Sequence, residues 1–365
     1  MSLTVCKFGG SSLADAGMFM RVDRILRSDA ARRYIIVSAP GARFPGDVKI
    51  TDLFYRAHSA DGTGDHSILA QIFARYAEIR DALAPDFDLE AEFARLRADL
   101  HISLDYAASR GEYLCAKLFA ACTDLPFVDA AELLHFDSDG EIDMDATVRA
   151  VRGKLLPLGR AVVPGFYGVT PDCGVRTFTR GGSDVSGALV AAALGADLYE
   201  NWTDVNGLFT ADPSIVPLPA RNLTVGLTEM EHIAAAGAKL LHPDALRPLH
   251  GTGIDTLLKN TFAPDAPGTR VSEACAQPVR CVTGKAGLYM LDDPTQLREL
   301  PLQNSIKVAS VCAFGLTTAG IRRVEREIRS IHIIHMQDHI QIIIPDPEYE
   351  NTIRAVHAIL MQSAT

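Results

Sequence analysis

At 365 residues, of which 48% are hydrophobic, the chain is long enough for one large α/β domain and a smaller second domain. A formal net charge of −10 argues against nucleic acid or an anionic membrane as a partner, because both would require a basic surface, and no apolar stretch is long enough to cross a bilayer. The odd number of cysteines, seven, and the lack of any CxxC pair indicate reduced thiols in a cytoplasmic protein rather than a disulfide framework.

The N-terminal third of the chain predicts strands followed by a long helical region. A buried strand ends at Phe8, and a Gly-Gly turn then leads into a helix from about residue 13 to residue 27. A second strand is expected at residues 34–37. The loop after it, residues 38–52, contains prolines and glycines and is long enough to act as a lid or binding segment. Helices are expected from there to about residue 125, with a break at Pro85.

Shorter elements follow, with strands predicted at residues 126–128, 161–164 and 198–202. Strands interleaved with helices predict a mostly parallel sheet covered on both faces. Thr228 and Glu231 have the TxxE spacing of a capping box, which predicts a helix to about residue 237. The proline-containing segment 260–278 is the best candidate for the end of the large domain.

The C-terminal part has a different order of elements. Strands are predicted near residues 281–291 and 306–312, a helix near 318–328, a hairpin over 331–344 and a last helix over 348–361. This order is close to a ferredoxin-like α+β module. Three histidines on the hairpin are interpreted as structural or surface residues, and no metal site is predicted; they are His332, His335 and His339.

The segment TFTRGGSD, residues 177–184, places a cation, two glycines, a hydroxyl and a carboxylate where a strand turns into a helix. Glycines let the backbone approach a ligand, and a helix that begins near Ser183 would point its free N–H groups at it. Arg180 adds a planar fork for a carboxylate or phosphate. An ordinary strand–turn–helix connection explains the pattern equally well.

The first glycine turn, in KFGGSS at residues 7–12, has the groups needed to hold a phosphate, namely a lysine, backbone amides and hydroxyls. It matches neither GxxxxGK nor GxGxxG, so those two mechanisms are not indicated. A tight turn with a surface lysine is the alternative.

Two later segments could complete a nucleotide site. In NWTDVNGLFTADP, Thr203 and Asp204 could bind a ribose or a base edge while Phe209 covers an aromatic ring; an Asx turn and a loop are the alternative. In GAKLLHP, Lys239 could reach a phosphate or merely cap helix carbonyls.

The segments KFGGSS, SRGE, FTRGGSD, WTDVNGLFTADP, GAKLLHP and NTFAPDAPGT, in this order, resemble the aspartate kinase family over about residues 3–270. The resemblance implies a three-layer α/β/α amino-acid kinase fold with a mostly parallel central sheet. It implies a catalytic domain over residues 1–275, with an amino-acid-binding lobe to about 170 and an ATP-binding lobe over about 171–275. Residues 279–365 would form a single ACT-like regulatory or dimerisation domain.

The activity implied by the resemblance is ATP-dependent phosphorylation of the side-chain carboxylate of L-aspartate to 4-phospho-L-aspartate, the first step towards lysine, threonine and methionine. Mg²⁺ would arrive bound to ATP. A carboxylate nucleophile is ionised at pH 7 and requires no general base. The alternatives are another amino-acid kinase that acts on a different carboxylate, or a catalytically silent amino-acid-binding regulatory homologue.

The resemblance also implies roles for individual residues. Arg180 would bind a carboxylate of aspartate, while Glu112 and Asp184 would complement its amino group. The residues implied in catalysis are Lys7, Arg180, Asp184 and Lys239. Those implied in ATP binding are Lys7, Phe8, Gly9, Gly10, Ser11, Thr203, Asp204, Phe209, Ser214, Lys239 and Leu240. Those implied in aspartate binding are Ser38, Thr51, Glu112, Arg180, Gly181, Ser183 and Asp184.

The chain departs from the family pattern at two points. Phe209 and Ser214 stand where the family usually has a tyrosine and an arginine, which bears on nucleotide affinity. The C-terminal segment has room for one ACT-like module where the family commonly has two. We therefore expect weak or absent feedback by lysine or threonine and a homodimer formed through this module, with a ligand-free dimerisation role as the simpler alternative.

Overall fold

The computed structural model describes residues 2–60, 67–178, 181–238, 240–275, 279–290, 293, 295–301 and 305–362. The chain forms two compact units. The first contains Met1–Asn206 and Asp244–Pro267, and the second contains Gly207–Pro243 and Gly268–Thr365. The sequence places a domain boundary near residue 275, whereas the compact units group an internal segment with the C-terminal part.

The strands, in chain order, are β1 (Thr4–Phe8), β2 (Arg32–Val37), β3 (Ala161–Pro164), β4 (Tyr167–Val169), β5 (Val175–Thr177), β6 (Leu198–Thr203), β7 (Thr224–Gly226), β8 (Asp255–Asn260), β9 (Thr269–Ser272), β10 (Cys281–Met290), β11 (Ile306–Phe314), β12 (His332–His335) and β13 (His339–Pro345). The α-helices are α1 (Ala16–Arg27), α2 (Ile50–Ser59), α3 (Ser67–Leu83), α4 (Leu89–Asp99), α5 (Leu104–Thr123), α6 (Met144–Leu158), α7 (Gly182–Leu194), α8 (Leu227–Ala235), α9 (Thr318–Glu327) and α10 (Tyr349–Gln362).

The first unit is built on a parallel sheet with the strand order β3-β2-β1-β6-β8. Helix α5 contacts β2 and β3, and α7 contacts β1, β2 and β6. Since α5 belongs to a core that includes Cys6 and Phe8, whereas α7 meets the face that bears Lys7, helices cover both faces of the sheet. The prediction of a three-layer, mostly parallel α/β fold is confirmed.

Strand alternation separates two kinds of chemistry on β1 and β6, which pair with Cys6 opposite Glu200 and Lys7 opposite Asn201. Glu200 is buried on the same face as Cys6 and accepts hydrogen bonds from Trp202 and from Arg32, the latter at 2.8 Å. This buried hydrogen-bond network occupies one face of the sheet. Lys7 and Asn201 lie on the opposite face, outside this network.

Several predicted elements differ in their limits or identity. Residues 126–128 are not a strand; Phe127 makes a single bridge to Val162. The helical region predicted after Pro85 is two helices, because a second helix begins at Leu104, where the Ser103 side chain caps it by accepting the N–H of Tyr106. The first helix begins at residue 16, since a 3-10 turn, Gly10–Leu13, precedes it.

The predicted capping box at Thr228 was also wrong. The N-cap of helix α8 is Gly226, two residues before Thr228, and the helix begins at Leu227. The carboxylate of Glu229 accepts the N–H of Gly226 at 3.2 Å, so this glutamate, and not Glu231, closes the first turn.

The second unit contains a parallel pair, β7 with β9, and an antiparallel sheet with the order β10-β11-β13-β12. The ββαββα order of residues 281–362 agrees with the predicted ferredoxin-like module. Its core also includes Ala211 and Val216 from the internal segment. The backbone N–H of Val282 donates to the carbonyl of Thr210 at 2.8 Å, so the segment and the module share hydrogen bonds as well as a core.

Six cysteines are free thiols, in agreement with the predicted reduced state, and Cys173 is the exposed one among them; the six are Cys6, Cys115, Cys122, Cys173, Cys281 and Cys312. Within the residues that the structure describes, no group of His, Cys, Asp and Glu could hold a metal ion. His335 pairs with Glu325 and His339 with Asp338, which agrees with the structural interpretation of the hairpin histidines. Among the described helices, none is long and apolar enough for a membrane span.

Candidate active site

The first unit contains a cavity of about 850 Å³ at the carboxyl ends of β1 and β2. Ligand sites in parallel α/β sheets commonly lie at this edge. The residues that line it are Lys7, Ser38, Lys49, Thr51, Asp52, Tyr55, Glu112, Phe166, Thr177, Phe178, Gly181, Gly182, Ser183 and Asp184. Every residue predicted to bind aspartate that the structure describes lines this cavity.

A buried ion pair forms one wall of the cavity. The Nζ of Lys7, at the end of β1, lies 2.5 Å from Oδ1 of Asp184, in the first turn of α7. The side-chain amide of Asn201 on β6 donates to the same oxygen at 2.9 Å. Because both charged side chains are largely withdrawn from solvent, the pair is held in one geometry and Lys7 presents its ammonium at the cavity.

Glu112, in the middle of α5, is a buried carboxyl group in the cavity wall. Its Oε2 has no hydrogen-bond partner within the described part of the chain. Burial raises the pKa of Glu112 to about 8, opposed by a hydrogen bond from the backbone of Ala39. A buried carboxyl with an open oxygen favours a cationic ligand group, which would restore its charge.

The glycine turn after β1 is fitted closely to the loop after β2. A Cβ on Gly10 would lie 2.8 Å from the carbonyl oxygen of Ala39. The N–H of Gly9 donates to the carbonyl of Trp202 at 3.0 Å, so the prediction that this N–H binds a phosphate needs correction. The N–H groups of Gly10 and Ser11 open a 3-10 helix and have no acceptor inside it, although neither residue is among those that line the cavity.

The second glycine turn shapes the start of α7. Gly181 has φ +79°, a conformation that favours glycine. A Cβ on Gly182 would lie 2.6 Å from that of Phe178 and 2.8 Å from the ring of Phe166. The helix therefore begins at Gly182, one residue before the predicted Ser183, and its first turn lines the cavity with its positive dipole end.

Two predicted catalytic residues, Arg180 and Lys239, lie outside the described residues. Phe8 does not reach the cavity with its side chain, which is fully buried and stacked on Trp202 with 5.7 Å between ring centroids. The alternation of β1 explains this, because residues 7 and 8 point to opposite faces.

The remaining predicted nucleotide residues are distributed over both units. In the first unit, Thr203 is the last residue of β6 and Asp204 follows it, and the hydroxyl of Thr203 donates to Asp204 at 3.2 Å. In the second unit, the ring of Phe209 lies 5.4 Å from the guanidinium of Arg221, and Ser214 donates to Asp212. Leu240 also belongs to the second unit.

Sequence reasoning missed several residues of the cavity and its support. Lys49 and Asp52 fall within residues 38–52, the segment predicted to be a loop that binds a ligand, and Tyr55 follows it; in the structure Lys49 caps α2, and Asp52 and Tyr55 belong to that helix. Asn201 supports Asp184 from a buried strand. A polar side chain inside a predicted strand was the available signal for Asn201, and a position within or next to the segment 38–52 was the signal for the other three residues.

Comparison with known proteins gives consistent results. The model of the amino acid kinase family matches residues 2–260. Aspartokinase 3 of Bacillus subtilis is 34% identical over 294 residues, which covers 74% of this chain and 63% of the relative. The aspartokinase of Rickettsia prowazekii is 27% identical over 284 residues, which covers 74% of this chain and 55% of the relative. The chain thus spans less than two thirds of the length of these relatives.

Two solved structures are similar over nearly the whole chain. The aspartate kinase of Clostridium acetobutylicum has a TM-score of 0.82 at 28% identity, with 99% of this chain and 100% of that chain covered. Aspartokinase III of E. coli, in complex with aspartate and ADP, has a TM-score of 0.83 at 21% identity, with 99% and 100% covered. The second likeness concerns the fold alone.

Proposed function

This chain belongs to the amino acid kinase family, and from that premise we propose that it is an aspartate kinase that transfers the terminal phosphoryl group of ATP to the side-chain carboxylate of L-aspartate. The product would be 4-phospho-L-aspartate, an acyl phosphate that leads to lysine, threonine and methionine. The aspartokinases among the relatives support this choice of substrate.

The observation that carries the proposal is that one cavity holds both a buried cation and a buried carboxyl group, Glu112, whose Oε2 has no hydrogen-bond partner among the described residues. Aspartate has one ammonium and two carboxylates. Glu112 is placed to accept the ammonium, while Lys7 and the first turn of α7 supply positive potential for negatively charged groups. Ser38 and Thr51 provide hydroxyls on the same cavity wall.

The chemistry requires positioning and charge neutralisation more than proton transfer. The attacking carboxylate of aspartate is already ionised at neutral pH, so no general base has to act. Negative charge on the phosphoryl oxygens has to be neutralised during transfer, and Lys7 is the described cation fixed at the cavity wall by a buried partner. Asp184 and Asn201 hold the Lys7 ammonium in place.

The nucleotide would approach through its phosphates at the first glycine turn, where Gly10 and Ser11 offer N–H groups. Mg²⁺ would be carried by the phosphate oxygens of ATP. We keep Lys239, Leu240, Thr203, Asp204 and Phe209 as the proposed ATP-binding residues. Ser214 is retained as well, and Arg180 stays the proposed ligand of an aspartate carboxylate.

Trapping the acyl phosphate with hydroxylamine tests the proposal. The protein is incubated with ATP, Mg²⁺ and hydroxylamine and with aspartate, glutamate or N-acetylglutamate, and the hydroxamate is measured by its iron colour. We expect product with aspartate, a large loss in Lys7→Met and none in the matched surface variant Lys154→Met. Product with another amino acid alone would change the substrate, and no product with any would favour a silent homologue.

We also propose a cytoplasmic homodimer formed through the C-terminal module. The strand β12 ends the antiparallel sheet, so its outer edge can pair with another strand. Light scattering after gel filtration tests this: a mass of twice 39.4 kDa supports the dimer, and a monomer mass contradicts it.

A further inference from the structure

The loop between β2 and α2 is fastened by a buried arginine that does not line the cavity. Arg75, on α3, donates from Nη2 to the carbonyl of Gly41 at 2.6 Å and from Nη1 to the carbonyl of Val48 at 2.9 Å. Its side chain is only 7% exposed. One guanidinium therefore ties together the two ends of the segment 41–48.

The Gly41 end of this segment sits on the first glycine turn. The N–H of Gly41 donates to the carbonyl of Gly10 at 2.8 Å. A Cβ on Gly41 would lie 2.7 Å from the carbonyl carbon of Gly10 and 2.8 Å from the backbone nitrogen of Ser11. Cβ atoms in proteins keep a longer distance from other atoms than this. The backbone of Gly41 therefore packs directly against the backbone of the turn, and a movement of Gly41 would move the turn with it.

The Val48 end of the segment leads directly into the cavity wall. Lys49, which follows Val48 directly, and Thr51, two residues further along the chain, both line the cavity. The N–H of Ile50 donates to the carbonyl of Pro40 at 3.3 Å, which closes the loop on itself. A shift of Val48 would therefore move the start of α2 and its cavity-lining side chains.

The charge of Arg75 is balanced inside the loop. Its Nη1 lies 3.4 Å from Oδ2 of Asp47, which also accepts the backbone N–H of Arg43 at 3.0 Å and its Nε at 2.9 Å. Hydrogen bonds from Arg43, with the charge of Arg75, hold the pKa of Asp47 well below its usual range. The carboxylate stays ionised, so the loop keeps its charge balance across ordinary pH.

We propose that Arg75 is a positioning residue that sets, through Gly41 and Val48, both the glycine turn that would hold the transferred phosphate and the cavity wall that would hold the amino acid. The planar guanidinium suits this task because it directs several N–H donors at once, whereas a lysine offers one point charge. The inference rests on the proposed kinase activity for its catalytic consequence, but not for the loop geometry.

The test compares Arg75→Met and Arg75→Lys with the control Arg33→Met. Arg33 also donates to a backbone carbonyl, that of Gly159 at 2.7 Å, but neither residue lines the cavity. For Arg75→Met we expect the KM for aspartate to rise about tenfold or more, the KM for ATP to rise as well, and kcat to fall, because both the cavity wall and the glycine turn lose their position. Arg75→Lys should be intermediate, and Arg33→Met should retain wild-type kinetics.

Hydrogen exchange provides the readout that does not depend on activity. Arg75→Met should speed exchange in two segments together, residues 39–52 and residues 9–13, while Arg33→Met should leave both unchanged. If the wild-type protein forms no acyl phosphate, the proposed function fails, and exchange alone decides the inference.

Two results would overturn it. The first is faster exchange confined to residues 39–52. The second is wild-type kinetics in a folded Arg75→Met or, should that variant not fold, in Arg75→Lys.

Discussion

Lys7 and Asp184 form an ion pair of 2.5 Å between the end of a central strand and the first turn of a helix, and Asn201 donates a hydrogen bond to the same carboxylate oxygen. The three side chains come from three elements of one layered unit. The pair fixes a cation beside the cavity without leaving either charge buried alone.

Replacing Lys7 tests whether its charge stabilises the phosphoryl group during transfer. Lys7→Ala should lower kcat by about 100-fold or more and change the dissociation constant of aspartate by less than about fivefold, because the charge matters most as the phosphoryl group moves. Rapid-quench kinetics and calorimetric binding of aspartate measure the two quantities. A loss confined to binding would contradict the assigned role.

Asn201 should act on catalysis more than on stability. Asn201→Leu removes the hydrogen bond to Asp184, which should destabilise the fold. It also removes a buried side-chain oxygen that has no partner among the described residues, and this change should offset the loss. We expect kcat/KM to fall about three- to tenfold, with a change of less than about 1 kcal/mol in the free energy of unfolding. Urea unfolding alongside steady-state kinetics checks this; a large destabilisation with unchanged kinetics would refute it.

Glu112 should make aspartate binding dependent on pH. With a pKa of about 8 in the folded protein, it is mostly protonated at pH 7, whereas an ammonium requires the ionised form. The KM for aspartate should therefore fall as the pH rises towards 8. A profile of KM from pH 6 to 9 that is flat in the wild-type protein would exclude this linkage.

The same shift predicts the stability of Glu112→Gln. The unfolded carboxyl releases its proton near pH 4.5 and the folded one near 8, so wild-type stability should decrease as pH rises between these values. The glutamine variant lacks this loss and should gain on the order of 4 kcal/mol over wild type at pH 8. Chemical unfolding at pH 5 and pH 8 measures the difference; equal gains at both values would count against it.

Two glycine-to-alanine substitutions should differ, one reducing activity and the other increasing stability. Gly41→Ala places a Cβ against the backbone of Gly10 and Ser11, so it should displace the turn and reduce kcat/KM by about tenfold or more. Gly153→Ala, inside α6 with open space around its Cβ, should add about 0.5–1 kcal/mol of stability and leave activity unchanged. Equal behaviour of the two variants in kinetic and unfolding assays would speak against the close fit of the loop.

Truncation at residue 275 should not give a well-folded protein, although the sequence places a boundary there. Ala211 and Val216 belong to the same core as the C-terminal module, and Arg354 donates to the carbonyl of Ile215 at 3.0 Å. Without residues 279–365 this segment loses its core. We expect a broad thermal transition and dye binding by the truncated protein; a sharp transition near that of the full chain would contradict the shared core.

The sequence predicts the layered sheet well because buried strands and amphipathic helices depend on local periodicity. It also brings Lys7, Glu112 and Asp184 to one site through family motifs. It does not reveal Arg75 or Asn201, whose importance comes from contacts between residues 17 or more positions apart. Nor does it reveal that Gly226 and Glu229 cap α8, since a spacing rule fits neighbouring residues almost equally well.

The alternation of β1 and β6 has a genetic consequence. A deletion of one codon within β1 would present Cys6 where the lysine now stands and would turn Lys7 towards the buried Glu200 and Arg32. The same deletion at the exposed positions 85–86 would shorten the turn between α3 and α4 and spare Ala84 and Phe87, which pack against the core, and Asp88, which caps α4. We therefore expect homologous genes to vary in length at this turn, whereas β1 admits substitutions but neither insertions nor deletions.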